Sequence, residues 1–259
     1  MEFDLLIFGA IAGFTIYLGL PLAMTNANAK IKGILNAFAI GILLFLLVDI
    51  MYDAMEVSQE KLLDSLSGQI PYYEGIIFFF TFFIGVAIGL LALVWFENRY
   101  ISKENTKNED RAKHLALMIA IGIGLHNFSE GLAIGQSYTT GSLSLAITLV
   151  IGFGLHNMTE GFGIAAPLSG YKTNWRYLAL LGLIGGGPTF IGAIVGSFWV
   201  SELISVLFLS LAGGAVIYVI KELLYHGRMS GEGFVNMGSL VVGFMLGFAT
   251  LVIVHYWVG

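Results

Sequence analysis

A chain of 259 residues that is 57% hydrophobic and only 11% charged has too little polar surface for a soluble fold, whose charged share is about 25%. With no cysteine, it has no disulfide framework, no thiolate metal site and no cysteine nucleophile. Its net charge of -5 comes mainly from loop acids, and no Lys/Arg-rich face with interleaved aromatics points to nucleic acid. What remains is an all-α polytopic membrane protein, read as a single integral-membrane domain over residues 1–259 with the lipid bilayer as its surroundings.

A crossing helix needs about 20 mostly apolar residues. Eight segments meet that need: 3–24, 33–56, 73–96, 114–137, 142–166, 175–199, 202–224 and 234–258. The first opens with "MEFDLLIFGA", which has acids where a signal peptide would be basic, so it is expected to stay in the mature chain. Asp49, Asp53 and Glu56 fall toward one end of the second segment, where they either attract cations to an entrance or serve as solvated helix-end acids. The stretch "ENRYISKENTKNEDRAK", about 97–113, is a mixed-charge, solvated loop. Pro188 sits beside three glycines in the sixth segment, and only Ser201 and Glu202 separate the sixth from the seventh. His114 and His255 lie near helix ends and read as interfacial.

Orientation follows from the basic residues, because cytoplasmic loops are enriched in Lys and Arg. One set of alternating loops holds eleven of the twelve, and the other holds only Lys61. Both termini are therefore expected outside, with 97–113 in the cytoplasm. Glycines recur at four-residue spacing, as in Gly9 and Gly13, Gly85 and Gly89, or Gly243 and Gly247. Such spacing lets helices approach closely in lipid.

The fourth and fifth segments carry the chemistry. "IGIGLHNFSEGLAIG" (121–135) and "IGFGLHNMTEGFGIA" (151–165) agree at nine of fifteen positions. Each copy puts a His and a Glu four residues apart on one helical face: His126 with Glu130, and His156 with Glu160. Asn127 and Asn157 stand beside those faces. The short connection "YTTGS" makes the two helices antiparallel neighbours, so both clusters meet near mid-bilayer. An ionisable group there costs roughly 2.5–3.5 kcal/mol on insertion scales, so such groups pair or line a pathway. Imidazoles and carboxylates together suit a borderline divalent ion, and the softness of the set does not separate zinc from iron or manganese. Asn127 and Asn157 are expected to add carbonyl oxygens or to orient a hydrated ion.

At these two boxes the chain closely resembles the ZIP family of divalent-metal transporters, whose fourth and fifth helices carry His-Asn-x-Pro-Glu-Gly-like motifs. The likeness extends to "AFAIGILLFLLVDIMYDA" (37–54) and "LAGGAVIYVIKELL" (211–224). It implies an eight-helix bundle and His126, Glu130, His156 and Glu160 as the principal ligands, with Asn127 and Asn157 at a second, adjacent position. It further implies an alternating-access carrier, often dimeric, in which helices one, four, five and six move against the rest. The metal is then the transported substrate, and no other cofactor is implied. Glu222 and His226, at the end of the seventh segment, are exit candidates by the same likeness.

Three departures stand out. Ser129 and Thr159 replace the box prolines, although a hydroxyl bonded to the i−4 carbonyl bends a helix mildly. Gly187 stands before Pro188 where many relatives have a glutamate, and the 97–113 loop has no His-rich tract. The expected function is import of a divalent transition metal, zinc first and iron or manganese as alternatives, across the cytoplasmic membrane. The competing reading is an intramembrane metal-dependent hydrolase working through a metal-bound water, which the near-symmetric boxes fit less well.

Overall fold

A computed structural model describes residues 3–26, 28–96, 98–99, 108–139, 143–198, 201–227 and 233–258. Its regular elements are helical among the described residues. There are eight α-helices: α1 (Phe3–Phe14), α2 (Ala29–Leu66), α3 (Tyr72–Phe96), α4 (Asn108–Thr139), α5 (Leu143–Ala165), α6 (Trp175–Gly196), α7 (Glu202–Gly227) and α8 (Gly233–Val258). Among the described residues, six spans are long and apolar enough to cross a membrane: α1 with its continuation to Met24, α2, α3, α4, α6 and α7. α8 contributes the shorter apolar run Val235–Ala249, and α5 carries its polar box within 23 residues.

Local chemistry sets several boundaries. α1 tightens into 3-10 turns at Thr15–Leu18 and Leu20–Met24, where Gly19 and Pro21 interrupt the α ladder. α5 ends likewise in the turn Ala166–Leu168 around Pro167. Asn28 caps α2 by accepting from the Ile31 amide at 3.0 Å, and Asn174 caps α6 by accepting from the Tyr177 amide at 2.8 Å.

Two helices are longer than their apolar runs. α2 has 38 residues rather than ending at 56; at 1.5 Å per residue it outruns the about 30 Å hydrocarbon core. Its extension is held by tertiary contacts: Lys61 Nζ pairs with Glu202 of α7 at 2.6 Å, and Ser65 is buried against Gly75 of α3. α4 begins at Asn108, so residues 108–113 are helix rather than loop. Glu109 and Asp110 in its first turn favour that start, and Lys113 bonds Glu109 one turn back at 2.7 Å.

Contacts between helix ends fix an alternating up-and-down course. The start of α6 meets the start of α4 through the Tyr177 hydroxyl, which donates to the Lys113 carbonyl at 2.6 Å. The α1 and α5 ends join where the Thr25 and Ser169 hydroxyls lie 2.9 Å apart and the Gly170 amide donates to the Thr25 carbonyl at 2.9 Å. One end of the bundle thus gathers Lys30, Lys113, Lys172 and Arg176, and the other gathers Glu60, Asp64, Glu74 and Glu202.

Packing sorts the helices into two groups. α1, α4, α5 and α6 pack on one another, as do α2, α3, α7 and α8; the groups meet mainly along α4 with α7 and α5 with α8 and α2. Glycines make the contacts inside each group intimate. A Cβ at Gly131 of α4 would collide with the backbone of Thr189 and Gly192 on α6, one at Gly13 with the Gly186 carbonyl, and one at Gly41 of α2 with the Leu240 carbonyl of α8. Between the groups, a Cβ on Gly122 of α4 would meet Ala215 of α7 at 3.3 Å, a tight contact but far looser than the backbone collisions inside each group. Side chains, rather than interlocked backbones, form that seam.

Candidate metal centre

The i,i+4 spacing works as expected on both helices. His126 Nε2 lies 3.4 Å from Glu130 Oε1, and His156 Nε2 lies 3.7 Å from Glu160 Oε1. The antiparallel pairing of α4 and α5 brings the two imidazoles together, with ring centroids 5.9 Å apart at 67°. Ligand atoms of His126, Glu130 and His156 all lie within 4.8 Å of one another. Glu160 is held just beside that trio by Asn127, whose Nδ2 donates to Glu160 Oε2 at 3.0 Å. All four ionisable groups are at most 6% exposed.

The asparagines also anchor helices through their amide nitrogens. Asn127 Nδ2 donates to both Glu160 and the Gly185 carbonyl of α6, each at 3.0 Å. Asn157 Nδ2 donates to the Ala12 carbonyl of α1 at 2.8 Å, and Asn157 also acts on Glu130 as a hydrogen-bond partner. Because Gly185 O and Ala12 O are acceptors only, the amide orientations are settled by their neighbours. The asparagines therefore tie the carboxylates and helices α4 and α5 to α6 and α1. Those carbonyl anchors were not legible in the sequence, since a backbone acceptor leaves no mark on residue type.

Several buried acceptors remain without a hydrogen bond: Asn127 Oδ1, Asn157 Oδ1, Glu130 Oε2 and Glu160 Oε1, together with both ring nitrogens of His126. Leaving such groups bare in a buried site is expensive. A divalent cation would relieve much of that cost, since it accepts imidazole and carboxylate ligands and offsets two negative charges.

The proline replacements leave α5 unbroken. Thr159 Oγ1 donates to the His156 carbonyl at 2.7 Å, an i−3 rather than an i−4 bond, and Ser129 Oγ has no hydrogen-bond partner. On α6, Gly187 is buried in a helical row with exposed Leu183 and Ile191, and among the described residues a Cβ there would touch only Leu183. α6 thus reaches the centre through the Gly185 carbonyl rather than through a side chain at 187.

The remaining candidates lie on two helices. On α2, Asp49 is half-buried and close enough for its charge to act on Glu130. Asp53 and Glu56 are exposed farther along, and the Tyr52 hydroxyl donates to Glu56 Oε1 at 3.3 Å. The side chains of Glu222 and His226, in the last turns of α7, lie outside the described residues, as does that of His255.

The chain is similar to known proteins over most of its length. The family model for the ZIP zinc transporters matches residues 97–255, which include both boxes and helices α4 to α7. The zinc transporter ZupT of Chlorobaculum parvum is 30% identical over 233 residues, 85% of each chain. The zinc transporter ZupT of Chlorobium chlorochromatii is 30% identical over 232 residues with the same coverage, and that of Akkermansia muciniphila is 36% identical over 147 residues, 54% of this chain and 53% of its own. With a family match across more than half its length and relatives aligned over most of it, the chain belongs to the ZIP family of zinc transporters.

Proposed function

We propose that this protein, a single membrane-embedded unit, carries a divalent transition metal into the cytoplasm across the cytoplasmic membrane. Zinc is the first candidate and iron or manganese the alternatives. The observation that carries this reading is the convergence of His126, Glu130, His156 and Glu160 in a buried space where Glu130 Oε2, Glu160 Oε1 and the Oδ1 atoms of Asn127 and Asn157 accept no hydrogen bond. The ion is cargo, and no resident cofactor enters the scheme. The basic end of the bundle faces the cytoplasm, so both termini lie outside.

The two helix groups suit an alternating-access cycle. α1, α4, α5 and α6 hold the ligands and their amide anchors, and interlocked glycines bind them into one body. The seam against α2, α7 and α8 is the surface along which that body moves. Assembly as a homodimer belongs to the same family-based proposal. For the hydrolase alternative, no observed feature speaks: the relatives are named transporters, and the two boxes are too alike to supply a distinct acid and base.

Asp49 connects the centre to the acidic face of α2, with Asp53 and Glu56 at the entrance and Glu222 and His226 proposed for the exit. Zinc uptake into proteoliposomes under an inward gradient tests the function, and no accumulation above protein-free vesicles would count against it. In the same assay, Asp53→Asn and Glu56→Gln together raise KM several-fold while leaving the maximal rate in place, because exposed charges concentrate cations without binding them in transit. That increase shrinks at high salt; an effect on maximal rate alone would remove these residues from the entrance.

A further inference from the structure

Most buried glycines of the bundle are crowded by a neighbouring helix, but a Cβ at Gly163 of α5 would meet none of the described residues within 4 Å, although Gly163 is buried. The space beside it is therefore internal. Its position is set by helical register: His156, Glu160 and Gly163 follow one another at i, i+4 and i+7 on one face of α5. The flanking faces confirm that this one looks inward. Gly161 packs on Ile16 and Gly19 after α1, and Phe162 meets Phe38 of α2 with ring centroids 6.4 Å apart. Gly163 thus opens on the seam between the ligand-bearing helices and α2.

The level of the space matters as much as its direction. Helical side chains lean toward the N-terminus of their helix, so the volume a side chain at 163 would fill lies alongside Glu160. Glu160 is fully buried, and its Oε1 has no hydrogen-bond partner. A void with such a wall is suited to water, which needs polar partners to stay in a buried cavity.

Coordination preferences give this room a use. Zinc is satisfied by four ligands in a tetrahedron, which two imidazoles and two carboxylates supply without water. Manganese and similar harder ions prefer six positions, filled largely by oxygen. We propose that Gly163 keeps open the space in which a six-coordinate ion retains its remaining waters beside Glu160, making this glycine a specificity-determining residue. The proposal rests on the His and Glu site described above.

The test compares zinc and manganese uptake in proteoliposomes for the wild type, Gly163→Ala and Gly163→Val, with thermal unfolding of each. Gly163→Ala melts at or above the wild-type temperature, because alanine favours helix and meets open space. Its zinc uptake stays within about threefold of wild type while manganese uptake falls about tenfold, and valine widens the gap. Equal loss for both ions, no change for either, a lowered melting temperature for Gly163→Ala, or a wild type that takes no manganese overturns the inference. A His126→Ala/His156→Ala control separates the two readings: if it still transports zinc, the site assignment fails. If it is inactive and the Gly163 series leaves the ion ratio unchanged, only the role of Gly163 fails.

Discussion

Zinc uptake falls by at least about 100-fold when His126 and His156 are both replaced by alanine, a loss larger than that from disturbing a group that merely orients a ligand. Both imidazoles stand within 4.8 Å ligand-atom range of Glu130, and removing them leaves carboxylates that repel each other in a buried space. The single variants are intermediate, because one imidazole and two carboxylates still make a three-ligand site. Asn127→Ala tests a different link. It frees Glu160 and breaks the bond to the Gly185 carbonyl, so it weakens uptake by about 10- to 100-fold through misplacement rather than ligand loss. Uptake and equilibrium zinc binding are to be measured on the same monodisperse preparations. A double histidine variant that transports at the wild-type rate would falsify the assignment of the centre.

How far the sequence foretold this site differs from group to group. The two His-x-x-x-Glu boxes were legible because ionisable side chains in an apolar run are rare and the run repeats them at matching depth. Their meeting followed from the short 138–142 connection, which leaves little choice but antiparallel packing. The amide anchors were hidden, since Ala12 and Gly185 offer only carbonyl oxygens and nothing in their residue types distinguishes them. Helix ends were legible where an apolar run stops, as for α3, and not where tertiary contacts carry the helix onward. α2 runs to Leu66 because Lys61 and Ser65 find partners on α7 and α3, a fact of the fold rather than of local composition. Gly187 illustrates the reverse case. Its place before Pro188 suggests a missing ligand; in the fold it is buried beside Leu183, and α6 meets the site residues through the Gly185 carbonyl, which accepts from Asn127.

The glycines of α4 give the second large effect, and they separate rigidity from movement. Gly131 and Gly122 lie nine residues apart on the same helix but face different partners. At Gly131 any side chain strikes the backbone of Thr189 and Gly192, inside the body that holds the ligands. Gly131→Leu forces α4 and α6 apart, disturbs the neighbouring Asn127 anchor on α6, and destabilises the protein by about 3 kcal/mol or more. Folded protein and zinc binding are lost together. At Gly122 an added methyl sits 3.3 Å from Ala215, a contact relieved by a shift of a few tenths of an ångström. Gly122→Ala therefore folds and binds zinc nearly as well as the wild type, but roughens the seam between α4 and α7 and slows turnover several-fold, with little change in KM. Thermal unfolding, zinc binding and transport rate measured side by side distinguish the two positions. If Gly131→Leu is stable and active, or if Gly122→Ala loses zinc binding before it loses rate, the division into a glycine-locked body and a sliding seam is wrong.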